Sequence, residues 1–267
     1  MNILEEIKRH KLREVEERKS LYPVKLLERS IFFEAQPVSL RKYLLREDLT
    51  GIIAEFKRKS PSKGIINQYA EPAATCLGYM QAGASALSVL TDEKYFSGSA
   101  DDLKAARKFN YCPILRKDFI LDEYQIVEAR SMGADVILLI AEMLDKMDIQ
   151  KLARFAVSLG LEVLMEFHSK EELKKLNGSI HHAGVNNRDL KTLKVNTGIS
   201  MELSELIPDD FIKISESGIE DAVTVTELKK TGFRGFLIGE FFMRQSDPAA
   251  ACERFIQSIR NYEKVKA

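Results

Sequence analysis

Charged and amide side chains stand where short apolar runs end in this 267-residue chain, in places where ordinary turn residues would be expected. The first such run reads Ile52-Ile53-Ala54-Glu55-Phe56-Lys57. In a strand, alternate residues share a face, so Glu55 and Lys57 follow Ile53 on one side and become neighbours. Another run, Ile114-Leu115-Arg116-Lys117-Asp118-Phe119, sends a cation and an aromatic ring, Lys117 and Phe119, out together behind Leu115. In Val163-Leu164-Met165-Glu166-Phe167 the shared face carries Leu164 and Glu166, and two later runs end in Val185-Asn186-Asn187-Arg188 and in Ile214-Ser215-Glu216-Ser217-Gly218. A single Lys or Glu at a strand end is more often solvated or paired than catalytic. Glu55, Lys57, Lys117, Glu166 and Glu216 converging on one rim would form an ionic cluster for which a purely structural protein has little use.

A second pattern suits an anion. Ser217-Gly218 and Gly239 offer backbone amides without bulky side chains, and a short turn over Glu240 to Met243 is placed to aim its amino end inward. Ser60-Pro61-Ser62-Lys63-Gly64 adds hydroxyl and ammonium donors on a loop that could close over the site. Taken one by one these glycines need only permit tight turns; together they describe a phosphate cradle.

The elements that must position these groups alternate short apolar runs with longer amphipathic stretches, the pattern of strand-helix units around a parallel sheet. Eight strands are expected, at 51–56, 86–90, 113–116, 135–141, 162–167, 182–186, 211–215 and 235–239, with helices over stretches such as 122–132, 146–159 and 221–231. Gly-Ala at 83-84 and 133-134 and Gly232-Phe233 mark where a helix stops and the next strand begins. Eight such units predict a closed α/β barrel, a (β/α)8 TIM barrel, in which chemistry sits at the carboxyl ends of the strands. Ahead of it, Ile3, Leu4, Ile7, Leu12 and Val15 recur at helical spacing, predicting an extra amino-terminal amphipathic helix that ends near Leu21-Tyr22-Pro23. That helix is expected to cover the mouth and contact substrate. The whole is read as a single domain over 1–267, with a helical extension over about 1–47 and the barrel over about 48–267.

Lys plus Arg and Asp plus Glu balance at 40 each, so no global field recruits nucleic acid or an anionic membrane, and an anion must be caught locally. Cys76, Cys112 and Cys252 are widely spaced and match neither a disulfide framework nor a zinc site, which fits a reducing cytoplasm. No stretch reads as a signal peptide or a membrane span, and a monomer is favoured. His181 and His182 are adjacent, so they face opposite ways in a strand and are given packing or surface roles. His168 is expected to begin the next helix as a cap neighbour, and Glu142 to be solvated.

From the amino-terminal helix to the last unit the chain resembles the indole-3-glycerol-phosphate synthase family. The resemblance rests on residues 53–64 (Ile-Ala-Glu-Phe-Lys-Arg-Lys-Ser-Pro-Ser-Lys-Gly), Leu90-Thr91-Asp92-Glu93-Lys94-Tyr95-Phe96-Ser97-Gly98-Ser99, Leu115 to Phe119, Gly184-Val185-Asn186-Asn187-Arg188-Asp189-Leu190, Ser215-Glu216-Ser217-Gly218-Ile219 and Phe236-Leu237-Ile238-Gly239. It implies conversion of 1-(2-carboxyphenylamino)-1-deoxyribulose 5-phosphate, a phosphorylated anilino-sugar, to indole-3-glycerol phosphate with loss of carbon dioxide and water, in tryptophan biosynthesis and without cofactor or metal. By matching position it implies Lys117 as the general acid and Lys57 as the group that holds the substrate carboxylate and donates a second proton. Glu166, with Glu55, would stabilise the cationic intermediate or take its proton, and Glu216 completes the catalytic set. Asn186 would orient the reacting groups, Phe119 and Arg188 would place the anthranilate part, and Ser217, Gly218 and Gly239, with Ser60 and Glu240 nearby, would contact the substrate and its phosphate. The sequence departs from the resemblance at Glu240 and Phe241, where small or hydroxyl-bearing side chains are usual; the Glu240 carboxylate is therefore expected to point away from phosphate.

Two other readings keep the fold. A phosphoribosylanthranilate isomerase-like sugar-phosphate isomerase would need a Cys and Asp pair at strand ends, whereas no Cys ends the first strand and Cys112 precedes the third. A non-catalytic phosphate-binding relative would lack a lysine or glutamate of the set, and none is missing.

Overall fold

The computed structural model describes residues 3–189 and 192–266; Leu190, at the end of the Asn-Asn-Arg-Asp-Leu string, lies outside them. The strands β1 (Ile52–Phe56), β2 (Ala86–Leu90), β3 (Ile114–Lys117), β4 (Val136–Ile140), β5 (Glu162–Phe167), β6 (His182–Asn186), β7 (Ile212–Glu216) and β8 (Phe233–Ile238) pair in parallel in chain order. β8 closes on β1 with Ile52 opposite Phe236 and Ala54 opposite Ile238, so the sheet is a barrel with no free edge.

Strand alternation divides two apolar layers. Ile53, Leu115, Leu138, Leu164, Ile214 and Leu237 fill the barrel, while Ile52, Ala54, Phe56, Leu87 and Val89 face outward against the helices. Besides two single turns at Val24–Leu27 and Glu93–Phe96, the helices are α1 (Ile3–Leu21), α2 (Leu40–Leu44), α3 (Pro72–Gln81), α4 (Ala100–Phe109), α5 (Glu123–Met132), α6 (Lys146–Ser158), α7 (Gly198–Ser204), α8 (Ala222–Lys230), the single turn α9 (Glu240–Met243) and α10 (Pro248–Lys266). Their ends follow local chemistry. Asp122 opens α5 with a capping box closed by Gln125, and Asp145 and Asp221 cap α6 and α8. Gly133 stops α5 at φ 87°, a left-handed conformation that glycine enters without strain.

Two elements plug the barrel from opposite ends. Leu40 and Leu44 of α2 join the inner layer at the amino ends of the strands, where the Glu162 carboxylate accepts from the Arg41 amide (3.0 Å) and the Ser39 hydroxyl (2.5 Å). Buried His182 lies against the same carboxylate, Nε2 to Oε2 2.6 Å, which is a packing role of the kind expected. Burial would push Glu162 upward, but His182, the Ser39 hydroxyl and the Arg41 amide together outweigh it and hold the carboxyl down at about 2. At the other end Leu4 and Ile7 of α1 enter the inner layer.

The crossover after β5 departs from the expected α-helix. It is a 3-10 turn, Glu172–Lys175, pinned by Lys175 donating to the carbonyls of Ala141 (2.6 Å) and Leu144 (2.9 Å). His168 therefore heads no α-helix; its Nδ1 lies 2.9 Å from the Asn186 carbonyl oxygen. Glu142 is half-buried and engaged rather than freely solvated.

Candidate active site

Alternation along the strands carries the predicted side chains into the mouth. Glu55 and Lys57 follow Ile53 on the inner face of β1 and its end, Lys117 follows Leu115, Glu166 follows Leu164, Asn186 follows Gly184, and Glu216 follows Ile214. All of them line one cavity of about 670 Å³, together with Ser60, Phe119, Arg188, Ser217, Gly218, Gly239 and Glu240. No cysteine lines it: Cys76, Cys112 and Cys252 are free and buried in the outer layer, so the Cys-Asp pair of the isomerase reading has no place here. Among the described residues no cluster of His, Cys, Asp and Glu has the arrangement of a metal site.

Lys117 is the hub. Its ammonium donates to Glu166 Oε2 at 2.7 Å and to Glu216 Oε2, and Asn186 Nδ2 donates to the other oxygen of Glu166 at 2.9 Å. Lys57 Nζ lies 2.6 Å from Glu55 Oε1. The carboxylates are almost fully buried, at 2 to 4% exposure, so they have few alternatives to these partners. For a lysine in such a mouth, nearby cations and burial argue for a lowered pKa, and neighbouring glutamates argue against it. Here burial pulls Lys117 down, but Glu166, Glu216 and Glu55 together raise it well above its ordinary value. The second carboxylate bears the cost. Burial raises Glu216, Lys117 lowers it, and repulsion from Glu166 lifts it again, to about 7, while Glu166 ends below its ordinary value. Two carboxylates sharing one ammonium titrate as a coupled pair, and repulsion between them favours a proton held at Glu216.

Close packing reinforces this arrangement through two glycines. A Cβ on Gly184 would stand 2.6 Å from Glu216 Oε1, and one on Gly239 would stand 2.5 Å from Glu55 Oε1. The backbone at both positions has to be bare because a glutamate occupies the space, a reason independent of turn geometry.

Directly after Glu216 the chain turns through Ser217 and Gly218 at φ 70° and 76°. Such a conformation strains serine, and it is held by Asn187, whose side chain donates to the Ser217 carbonyl and to Ser215 Oγ, both at 3.1 Å. The segment after β1 forms a two-residue antiparallel pairing, Lys59–Ser60 with Gly64–Ile65, which presents Ser60, Ser62 and Lys63 to the cavity. Glu240 was expected to turn away from phosphate; instead it lines the cavity, its carboxylate 3.3 Å from Lys63 Nζ and 3.5 Å from Arg188 Nη2.

The amino-terminal helix lines the mouth, as expected of it, and other groups that shape the site carry no distinguishing signal of their own in the sequence. Ile3, Leu4 and Ile7 of α1 form part of the apolar wall, as do Leu90, Phe96 and Leu138, and Phe96 packs on Phe119 with ring centroids 6.0 Å apart. Lys11 of α1 is fully buried, its ammonium 2.8 Å from Asp92, 3.2 Å from Asp118 and 3.0 Å from Glu14. Asp118 is the residue between Lys117 and Phe119. It also accepts from Arg116 (2.9 Å), Thr91 (2.5 Å) and the Phe119 amide (2.8 Å), so a buried ionic knot fixes the strand end that carries the hub lysine. Of the segments that carry the resemblance, Leu90 to Ser99 contains Asp92 and Phe96 and Leu115 to Phe119 contains Arg116 and Asp118, whereas Lys11 stands in none of them.

The profile of the indole-3-glycerol phosphate synthase family matches residues 4–255. The chain belongs to that family. An indole-3-glycerol phosphate synthase of Bacteroides thetaiotaomicron is 46% identical over 259 residues, covering 97% of this chain and 99% of that protein. One of Carboxydothermus hydrogenoformans is 39% identical over 253 residues, covering 93% and 96%. Among solved structures, 3-hexulose-6-phosphate synthase from Salmonella typhimurium superposes with a TM-score of 0.62 at 12% identity, over 79% of this chain and 99% of that one. A mutant tryptophan synthase α-subunit from Pyrococcus furiosus gives 0.61 at 12%, over 79% and 98%. At that identity the structures speak for the fold alone. The activity is that of the family, a carboxy-lyase of tryptophan biosynthesis acting on a phosphorylated small molecule. No helix among the described residues is long and apolar enough to cross a membrane.

Proposed function

We propose that the groups around Lys117 and Lys57 close and dehydrate the indole ring of 1-(2-carboxyphenylamino)-1-deoxyribulose 5-phosphate, with the phosphate held at Ser217, Gly218 and Gly239. The observation that carries this reading is the Lys117 ammonium held between Glu166 and Glu216 in the cavity that also contains Lys57, Glu55 and the Ser217-Gly218 turn.

The ring carbon bearing the carboxylate attacks the sugar carbonyl carbon, and the carbonyl oxygen becomes a hydroxyl by taking a proton from Lys117. Its carboxylate neighbours keep that proton in place until it is needed, and a developing alkoxide is basic enough to take it even from a strongly stabilised ammonium. The attacking ring carbon is then saturated and the anilino system cationic. Glu166 and Glu55 offset that charge, as preorganised groups aimed at charge that develops during the reaction. The electrons of the bond to the carboxylate return to the ring as carbon dioxide leaves, so no external electron sink is needed. The new hydroxyl departs as water with a proton from Lys57. A proton lost from the carbon beside nitrogen to Glu166 or Glu55 completes the indole, so the reaction takes up one proton overall.

Asn186 keeps Glu166 oriented, Phe119 and Phe96 face the anthranilate part, and Arg188, paired with Glu240 beside Gly239, is assigned to the phosphate end instead of the anthranilate end that the resemblance implies. Three buried free thiols support a reducing, cytoplasmic setting. The test is indole formation followed by fluorescence for wild type and Lys117→Ala. Turnover is expected to fall about a hundredfold or more on loss of the general acid; equal turnover in the two proteins overturns the assignment of Lys117.

A further inference from the structure

Each of the four cations lining the cavity among the described residues, Lys57, Lys63, Lys117 and Arg188, already has a carboxylate partner. None of these four is uncommitted, so any of them can serve an entering phosphate dianion only if its carboxylate gives it up. Glu55, Glu166 and Glu216 are enclosed, with at most 4% of each side chain exposed, and have nowhere to turn. Glu240 differs: its side chain is 23% exposed, it sits directly after Gly239 at the phosphate end, and it engages two cations on separate segments, Lys63 after β1 and Arg188 after β6.

We propose that Glu240 is an internal competitor for the substrate's phosphate: in the empty site its carboxylate holds Lys63 and Arg188, and the incoming phosphomonoester displaces it and takes these cations over. The proposal rests on the phosphate cradle assigned above. Phosphate prevails because it brings up to two charges and three acceptor oxygens against one charge and two. Arg188 stays in place during the exchange, since its Nη1 also donates to the Leu193 carbonyl at 3.1 Å. Lys63, 55% exposed and tied to Glu240 at 3.3 Å, is free to swing. The carboxylate thereby sets phosphate affinity below what the two cations alone would provide and limits occupation of the site by free inorganic phosphate.

The test compares wild type, Glu240→Gln and Glu240→Ala, measuring KM and kcat for the substrate and competitive inhibition by inorganic phosphate. Both variants are expected to show a phosphate inhibition constant lowered about fivefold or more, with KM falling in parallel and kcat changing less. Competitive inhibition in wild type with an unchanged or weaker constant in both variants overturns the competitor role and leaves the cradle standing. If phosphate competes in none of the three proteins and Gly218→Asp leaves KM unchanged, the cradle itself falls and the proposal with it.

Discussion

Lys11→Met should undock the amino-terminal helix before it unfolds the barrel. The side chain is fully buried and its ammonium meets Asp92 and Asp118, which are also buried, and Glu14, which is 29% exposed. Methionine keeps the length and removes the charge. Deleting one partner of a buried ion pair costs about 3–5 kcal/mol, because the other partner is left without compensation. The lower end applies here. Glu14 can turn to water, and Asp118 keeps Arg116, Thr91 and the Phe119 amide, so the burden falls on Asp92, which retains the Tyr95 amide at 2.7 Å. Against this, α1 buries Leu4, Ile7 and Val15, each worth roughly 1.5–3 kcal/mol before the entropy of ordering the helix is subtracted. A loss near 3 kcal/mol is thus a large share of what holds the helix down, and it corresponds to about a hundredfold faster amide exchange. Exchange should accelerate most around Lys11 and least near Arg18 and Lys19, which keep Glu128 (2.5 Å) and Asp122 (2.8 Å). KM should rise as well, since Ile3, Leu4 and Ile7 leave the cavity wall. Unchanged protection across α1 in the variant would refute the reasoning, whatever happened to the melting temperature.

Two further outcomes follow from the site. Glu216 binds its proton more tightly in the folded enzyme, at about 7, than at its ordinary 4.5, so its contribution to stability is complete below 4.5 and is lost as pH rises through about 7. Denaturant unfolding of Glu216→Gln at about pH 5 and about pH 8 should therefore lack a decline that wild type shows, and identical slopes in the two proteins would count against the shifted carboxyl. Gly239→Ala places a methyl 2.5 Å from Glu55 Oε1 and 2.9 Å from its Cβ, which forces Glu55 off its pair with Lys57. Stability should drop by about 1–3 kcal/mol and kcat/KM by about tenfold or more; a variant within twofold of wild type would show that Glu55 has another place to go.

Much of the barrel and its mouth was legible in the residues because period-two alternation is a local property. Ile53, Glu55 and Lys57 share a face in any strand, as do Leu115 and Lys117 or Leu164 and Glu166, and a closed parallel barrel turns such faces toward one point. Helix ends were legible for the same reason: Asp122, Asp221 and Gly133 act on their own neighbours. The crossover after β5 was not, since its 3-10 turn is pinned by Lys175 to carbonyls more than thirty residues away.

What the amino-acid sequence determined alone was therefore the count of strand-helix units, the inward set at each strand end and the family to which they point. The tertiary structure decided the sign of the Lys117 shift, the partners of Glu240, and the burial of Lys11 against Asp92 and Asp118. Each of these depends on which carboxylates stand within a few ångströms once solvent is excluded. Electrostatic energy varies with distance through space and with the surrounding medium, and spacing along the chain specifies neither.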